Sequence, residues 1–192
     1  RRTMDELRDL IQESKLLYGK AFPDAKFNQQ SSTWTFKSGA TLWMSYLDRE
    51  DDVERYRGQA YTWIGVDELT QYATPNAWNF LRSRLRTSAK DLPIYMRATT
   101  NPGGPGHQWV KKMFIDPSPY NTSFPATDID TNQPLVYPRG HAKEGQVLFN
   151  RRFIPARLKD NPYLYDDGQY EASLLSLPEH HRRQLLEGDW SV

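Results

Sequence analysis

The residues best suited to chemistry stand at the end of a short apolar run. Trp63-Ile64-Gly65-Val66 is followed at once by Asp67 and Glu68. The run over 61–66 reads as a buried strand. It delivers two adjacent carboxylates to its C-terminal end, which is where ligands bind in open α/β sheets. Neighbouring residues on a strand point in different directions, so the two acids can take different tasks. Asp67 can hold a Mg²⁺ that bridges phosphate oxygens, and Glu68 can orient or deprotonate a water. A strand that simply ends in solvated acids is also common, so the pair alone decides little.

A second run makes the pair more specific. Ala98-Thr99-Thr100-Asn101-Pro102-Gly103-Gly104-Pro105-Gly106-His107 follows the next apolar stretch, 94–98, without a gap. Small hydroxyls and an amide at a strand end can touch a γ-phosphate or the water that attacks it. The glycines let backbone approach a ligand or bend as a hinge. A plain strand-to-helix turn would carry the same composition. A third segment, Glu54-Arg55-Tyr56-Arg57-Gly58-Gln59, sets a basic residue beside glycine before the first strand. From composition alone, Arg57 there is an ordinary surface arginine.

Other groupings carry less. Arg82, Arg84, Arg86 and Lys90 could form a phosphate-binding edge, but a solvated helix face explains them as well. Lys111 and Lys112 take the same reading. His107, His141, His180 and His181 lack paired metal spacing. The acids between Asp48 and Glu54 lack the pattern of a calcium loop. The tryptophans read mostly as core.

The elements that must position these residues follow from periodicity. A helix is expected over 3–18, with Met4, Leu7, Ile11 and Tyr18 on one stripe widened by Leu10 and Leu17. Thr3 and Glu6 match a capping box, and Gly19 is the expected stop. Alternation on either side of Ser38-Gly39 predicts a β-hairpin. The acidic stretch 48–54 predicts a short exposed helix or loop. Thr74-Pro75 opens a helix with Pro at its first position, buried through Trp78, Leu81 and Leu85. A further helix is expected over 107–115. Strand and helix in alternation argue for a parallel α/β sheet. Beyond about Asp116 the character changes, since ten of the thirteen prolines lie past residue 100. There a strand near 122–126, an irregular excursion, a last strand over 152–158 and two closing helices, over 167–177 and from Pro178 to before Gly188, are expected.

Composition bounds the function. A chain of 192 residues allows one domain or one and a half. Aromatic residues make up 13%, which argues against disorder. The net charge is +1, so any contact with nucleic acid must be a local patch. No apolar run is long enough to span a membrane, and there is no secretory signal pattern at Arg1-Arg2-Thr3-Met4. The absence of cysteine excludes disulfides, thiol catalysis and thiolate-bound zinc.

The succession Tyr56-Arg57-Gly58, Trp63 to Glu68, and Ala98 to Gly104 resembles the large terminase subunit of tailed bacteriophages. The ending, Asp160-Asn161-Pro162-Tyr163 with Leu185-Leu186-Glu187-Gly188-Asp189-Trp190, resembles the segment that closes that family's ATPase region. The likeness runs from about Arg1 to Trp190. It implies a partial P-loop NTPase-like α/β fold of the ASCE/RecA type, a parallel sheet with flanking helices, followed by a small C-terminal helical and irregular subdomain. The core, with Walker B and coupling motif, would cover 1–115; the end of the core and the linker subdomain would cover 116–192.

By resemblance, Asp67 is the Walker B aspartate and metal ligand, and Glu68 the catalytic glutamate. Thr99, Thr100 and Asn101 fall on the coupling motif that senses the γ-phosphate, with Thr100 and Asn101 at the nucleotide. Arg57 stands where related motors place an arginine finger acting on the neighbouring subunit. The implied cofactors are ATP and Mg²⁺. The implied partners are double-stranded DNA, the portal protein, the small terminase subunit and further copies in a homo-oligomeric ring, in the cytoplasm of a bacterial host. The sequence departs from the family in having no glycine-rich Walker A loop ending in Lys and Ser or Thr; Gly19-Lys20-Ala21 lacks both the first glycine and the hydroxyl. The chain therefore reads as starting just after the phosphate cradle and stopping before the nuclease domain, and as inactive or weak alone. The alternatives are another helicase-like or RecA-like ATPase, or a non-catalytic assembly or DNA-contact fragment.

Overall fold

The computed structural model describes residues 2–192 and shows a mixed α/β chain with small sheets, one parallel strand pair and helices. It forms two compact units. One ends at Asp67 and resumes over Asn76–Arg97; the other comprises Glu68–Pro75 and Ala98–Val192. Arg1 lies outside the described residues.

The first unit opens with helix α1, Met4–Ala21. Thr3 caps it, its Oγ1 accepting from the Glu6 amide at 3.2 Å. The Glu6 carboxylate takes the Arg2 amide (3.1 Å), where a full capping box would have used that of Thr3. Gly19 does not stop the helix, which ends two residues later with the Phe22 amide donating to Tyr18 O. Leu7, Ile11 and Ser14 are buried, while Leu10 and Leu17 are exposed, so the apolar stripe is narrower than expected.

Strands β1 (Lys26–Asn28), β2 (Thr33–Thr35) and β3 (Thr41–Trp43) form an antiparallel meander. The expected hairpin is β2–β3, and β1 adds a strand the alternation did not reveal. Trp34 sits opposite Phe27 and Leu42. Its ring meets Tyr18 edge-on at 5.4 Å. Its Nε1 donates to Ser14 Oγ at 3.0 Å, and that hydroxyl donates to Ile11 O at 2.7 Å. Ser14→Ala should therefore cost roughly 1–3 kcal/mol, the penalty of a buried donor left unpaired. Urea unfolding reads this out, and an unchanged midpoint would show that the indole finds another acceptor.

A 3₁₀ helix, Glu50–Tyr56, fills the acidic stretch. Then come β4 (Trp63–Val66), helix α2 (Asn76–Arg82) and β5 (Tyr95–Ala98). Pro75 lies one residue ahead of α2, and Ala77, Trp78 and Leu81 bury its inner face. Leu85 falls beyond the helix and makes a parallel bridge with Tyr61.

The second unit holds a 3₁₀ turn, Leu69–Gln71, and helix α3, His107–Val110, which widens to a π-helical turn over Lys111–Ile115. Strands β6 (Phe124–Pro125) and β7 (Asn150–Arg151) pair antiparallel. The excursion between them is more regular than expected. Antiparallel bridges join Thr127 to Pro134 and Val136 to Val147. The last strand lies at Asn150–Arg151 rather than 152–158. Arg151 is buried, donates to Thr127 O at 2.9 Å and lies over Phe114 and Phe149, so pairing is anchored there. Pro155, lacking an N–H, does not extend it. Helices α4 (Pro162–Tyr165), α5 (Gln169–Leu175) and α6 (Glu179–Leu185) follow; α4 is a one-turn addition with Pro at its start. No described helix is long and apolar enough to cross a membrane.

Candidate functional site

β4 and β5 are hydrogen-bonded neighbours. The Tyr95 amide donates to Thr62 O at 3.2 Å, so the strands start together and run parallel. Asp67 follows the end of β4, and Thr99 follows the end of β5. The strand over 61–66 is not the buried one expected. Among the described residues β4 and β5 each have one partner, and Trp63 and Tyr95 are both 41% exposed. A two-stranded sheet leaves edges and parts of both faces open, whatever the hydropathy of its residues.

Glu68 breaks the strand. Its backbone is left-handed, φ 55° and ψ 55°, an unusual conformation for a residue with a Cβ. The next residues hold it there. Leu69 is 2% exposed and its amide donates to Thr99 O at 3.0 Å. The Thr70 amide donates to Thr100 Oγ1 at 3.1 Å. The Thr100 hydroxyl donates to Thr70 Oγ1 at 2.9 Å, and the Thr70 hydroxyl to Asn101 O at 3.1 Å. Each hydroxyl both accepts and donates, an arrangement in which successive bonds polarise one another. The turn that carries Glu68 is thereby joined, residue by residue, to Thr99, Thr100 and Asn101.

The glycine-rich loop packs on the same segment. The Gly106 amide donates to Thr70 O at 2.7 Å. A Cβ at Gly106 would lie 2.2 Å from Tyr72 O and 2.7 Å from Trp109 Nε1, which itself donates to Tyr72 O at 2.8 Å. Close backbone approach, rather than a hinge, explains that glycine.

Glu68, Thr99, Thr100 and Asn101 are thus brought together within the second unit. Thr99 and Asn101 are exposed; Thr100 is half-buried, its hydroxyl within reach of Thr70 Oγ1 at 2.9 Å and of Asn101 O at 3.2 Å. Asp67 is half-buried at the end of the first unit. Arg57, in the first unit, is held by Glu54, its Nε 2.5 Å from Oε2, and its guanidinium lies 6.0 Å from the Phe80 ring centre. That hydrogen bond, aided by the Arg57 and Arg84 charges, holds the Glu54 carboxyl below its usual range. The basic edge is turned partly inward. Arg86 donates to Gly58 O and Gln59 O, Arg84 lies over Phe80, and burial pushes Arg82 down to about 10.

No cluster of three or more His, Asp or Glu that could hold a metal occurs among the described residues. Mg²⁺ does not require one, since it is commonly bound by one or two carboxylates plus substrate phosphates and water. Asp67, a hard oxygen donor at a strand end, fits that demand. Sequence reasoning missed Thr70, whose hydroxyl and amide hold Thr100 and Asn101. Thr70 carries no signal of its own except a hydroxyl two residues past the acidic pair.

Compared with protein-family models, curated proteins and solved structures, the chain matches none.

Proposed function

We propose that this chain is part of the ATPase motor of a phage-type large terminase subunit, which couples ATP hydrolysis to translocation of double-stranded DNA into a procapsid. The observation that carries the reading is the left-handed Glu68 at the end of β4, with the residues after it bonded in sequence to Thr99, Thr100 and Asn101. Strained backbone that its surroundings hold in place is characteristic of functional sites. In this reading the Glu68 carboxylate holds the attacking water and takes its proton. The Asn101 amide, exposed at the loop, would contact the γ-phosphate, and Thr100 keeps the loop in register through Thr70. Asp67 would hold Mg²⁺, which when bound neutralises charge on the phosphates. The fold would be a partial P-loop NTPase of RecA type. Double-stranded DNA, portal protein, small terminase subunit and further copies in a ring would be its partners, and the host cytoplasm its place.

The sequence contains no Walker A loop, so the phosphate cradle and its lysine are missing from this chain. The 192 residues alone should hydrolyse ATP weakly or not at all. In a longer protein that carries such a loop ahead of them, Asp67→Ala should weaken Mg²⁺-dependent nucleotide binding. Titration with a fluorescent ATP analogue, with and without Mg²⁺, measures this. Binding by that protein unchanged in Asp67→Ala would overturn the assignment and favour a non-catalytic assembly or DNA-contact segment.

A further inference from the structure

We infer that His107 is a positioning residue, which ties the Thr99–Gly106 loop to the closing segment of the chain through an acceptor nitrogen on one side and a ring stack on the other. His107 opens α3 and is 7% exposed. Its Nδ1 accepts from the Gly103 amide at 2.8 Å. A ring nitrogen that accepts carries no proton, so Nε2 bears the hydrogen of the neutral ring. The ring stacks on Trp190, centres 5.2 Å apart and planes 30° apart. Trp190 is 5% exposed and meets Phe153 edge-on at 6.0 Å.

The closing segment is itself braced. The Asp189 carboxylate accepts from Arg183 Nε at 2.9 Å and from Arg183 Nη2, and from the Ser191 amide at 2.7 Å. The Ser191 contacts, with Arg183, draw that carboxyl down to about 2. Gln184, on α6, reaches the loop as well; its side-chain amide would lie 3.0 Å from a Cβ at Gly103. The loop is therefore held at two places. Thr70 fixes Thr100, Asn101 and Gly106, and His107 fixes the turn between them at Gly103. Its role toward nucleotide rests on the ATPase reading given above. A loop already in place when ligand arrives loses less entropy on binding.

Two variants of the 192-residue chain separate the acceptor from the ring. His107→Phe keeps a ring for Trp190 and removes the acceptor. His107→Asn removes the ring and sets an amide oxygen close to where Nδ1 lies. Backbone amide exchange, resolved by NMR, is the readout. The Gly103 amide should exchange about tenfold faster in His107→Phe, the loss of one hydrogen bond of ordinary net strength. In His107→Asn it should stay within about twofold of the parent, while the Val110 and Met113 amides keep their protection in both. Unchanged Gly103 protection in His107→Phe, or equal loss in His107→Asn, would overturn the assignment. If either variant fails to fold, the unsubstituted chain still decides. Nitrogen chemical shifts should show Nδ1 unprotonated and Nε2 protonated, and the opposite tautomer would overturn the proposal. In a longer protein with a phosphate loop, His107→Phe should lower kcat/KM and His107→Asn restore it. A longer protein that binds and hydrolyses no ATP in any form would remove the ATPase reading and leave the exchange and tautomer results to judge His107.

Discussion

Glu68→Gln in a longer, nucleotide-hydrolysing protein is expected to cut turnover by roughly 10²–10⁴-fold, the usual contribution of a general base. Nucleotide binding should persist, because under the proposed function Glu68 acts on water rather than on the nucleotide. Glutamine has the same size and should keep the left-handed turn. Glu68→Gly makes the companion test. Glycine adopts φ 55° without the Cβ penalty, so relief of the backbone should stabilise the fold by about 1 kcal/mol. That variant should be more resistant to urea and equally inactive. Strain kept at a cost in stability, with function lost when it is relieved, marks a residue held for its chemistry. Phosphate release measured beside urea unfolding checks both points. Full activity in Glu68→Gln would remove Glu68 from the reaction, and Glu68→Gly that loses stability would show that the turn serves the fold.

Arg57→Ala carries the largest expected effect, because an arginine finger supplied by a neighbour is worth roughly 10³–10⁵ in rate. The Arg57 side chain lies at the surface. It is 70% exposed, and its partner is Glu54, three residues earlier. Exposed pairs of this kind are screened by solvent and contribute little to stability, so turning the guanidinium toward a neighbouring subunit costs little. Under the proposed motor function, loss of Arg57 should spare nucleotide binding by single subunits and remove any stimulation by ring assembly. Mixing Arg57→Ala with Glu68→Gln subunits is decisive. Interfaces that join an intact Arg57 to an intact Glu68 should recover hydrolysis. Verified mixed rings without any recovery would return Arg57 to a surface arginine paired with Glu54.

Local signals alone determined much of this chain. The cap at Thr3, the hairpin about Ser38-Gly39, the strands leading to Asp67 and Thr99, and the helix from His107 depend on neighbours a few residues away. Tertiary structure decided what those signals do not contain. Burial of β4 and β5 depends on how many strands flank them, and each has a single described partner. Strand β1 is three residues long, and its pairing with β2 rather than its own alternation makes it a strand. The left-handed turn at Glu68 is set by Leu69 and Thr70, whose partners lie some thirty residues on. His107 meets Trp190 across most of the second unit's sequence. Contacts at such separations leave no periodicity in the chain, because each needs only one compatible side chain at either end, and folding alone brings the two ends together.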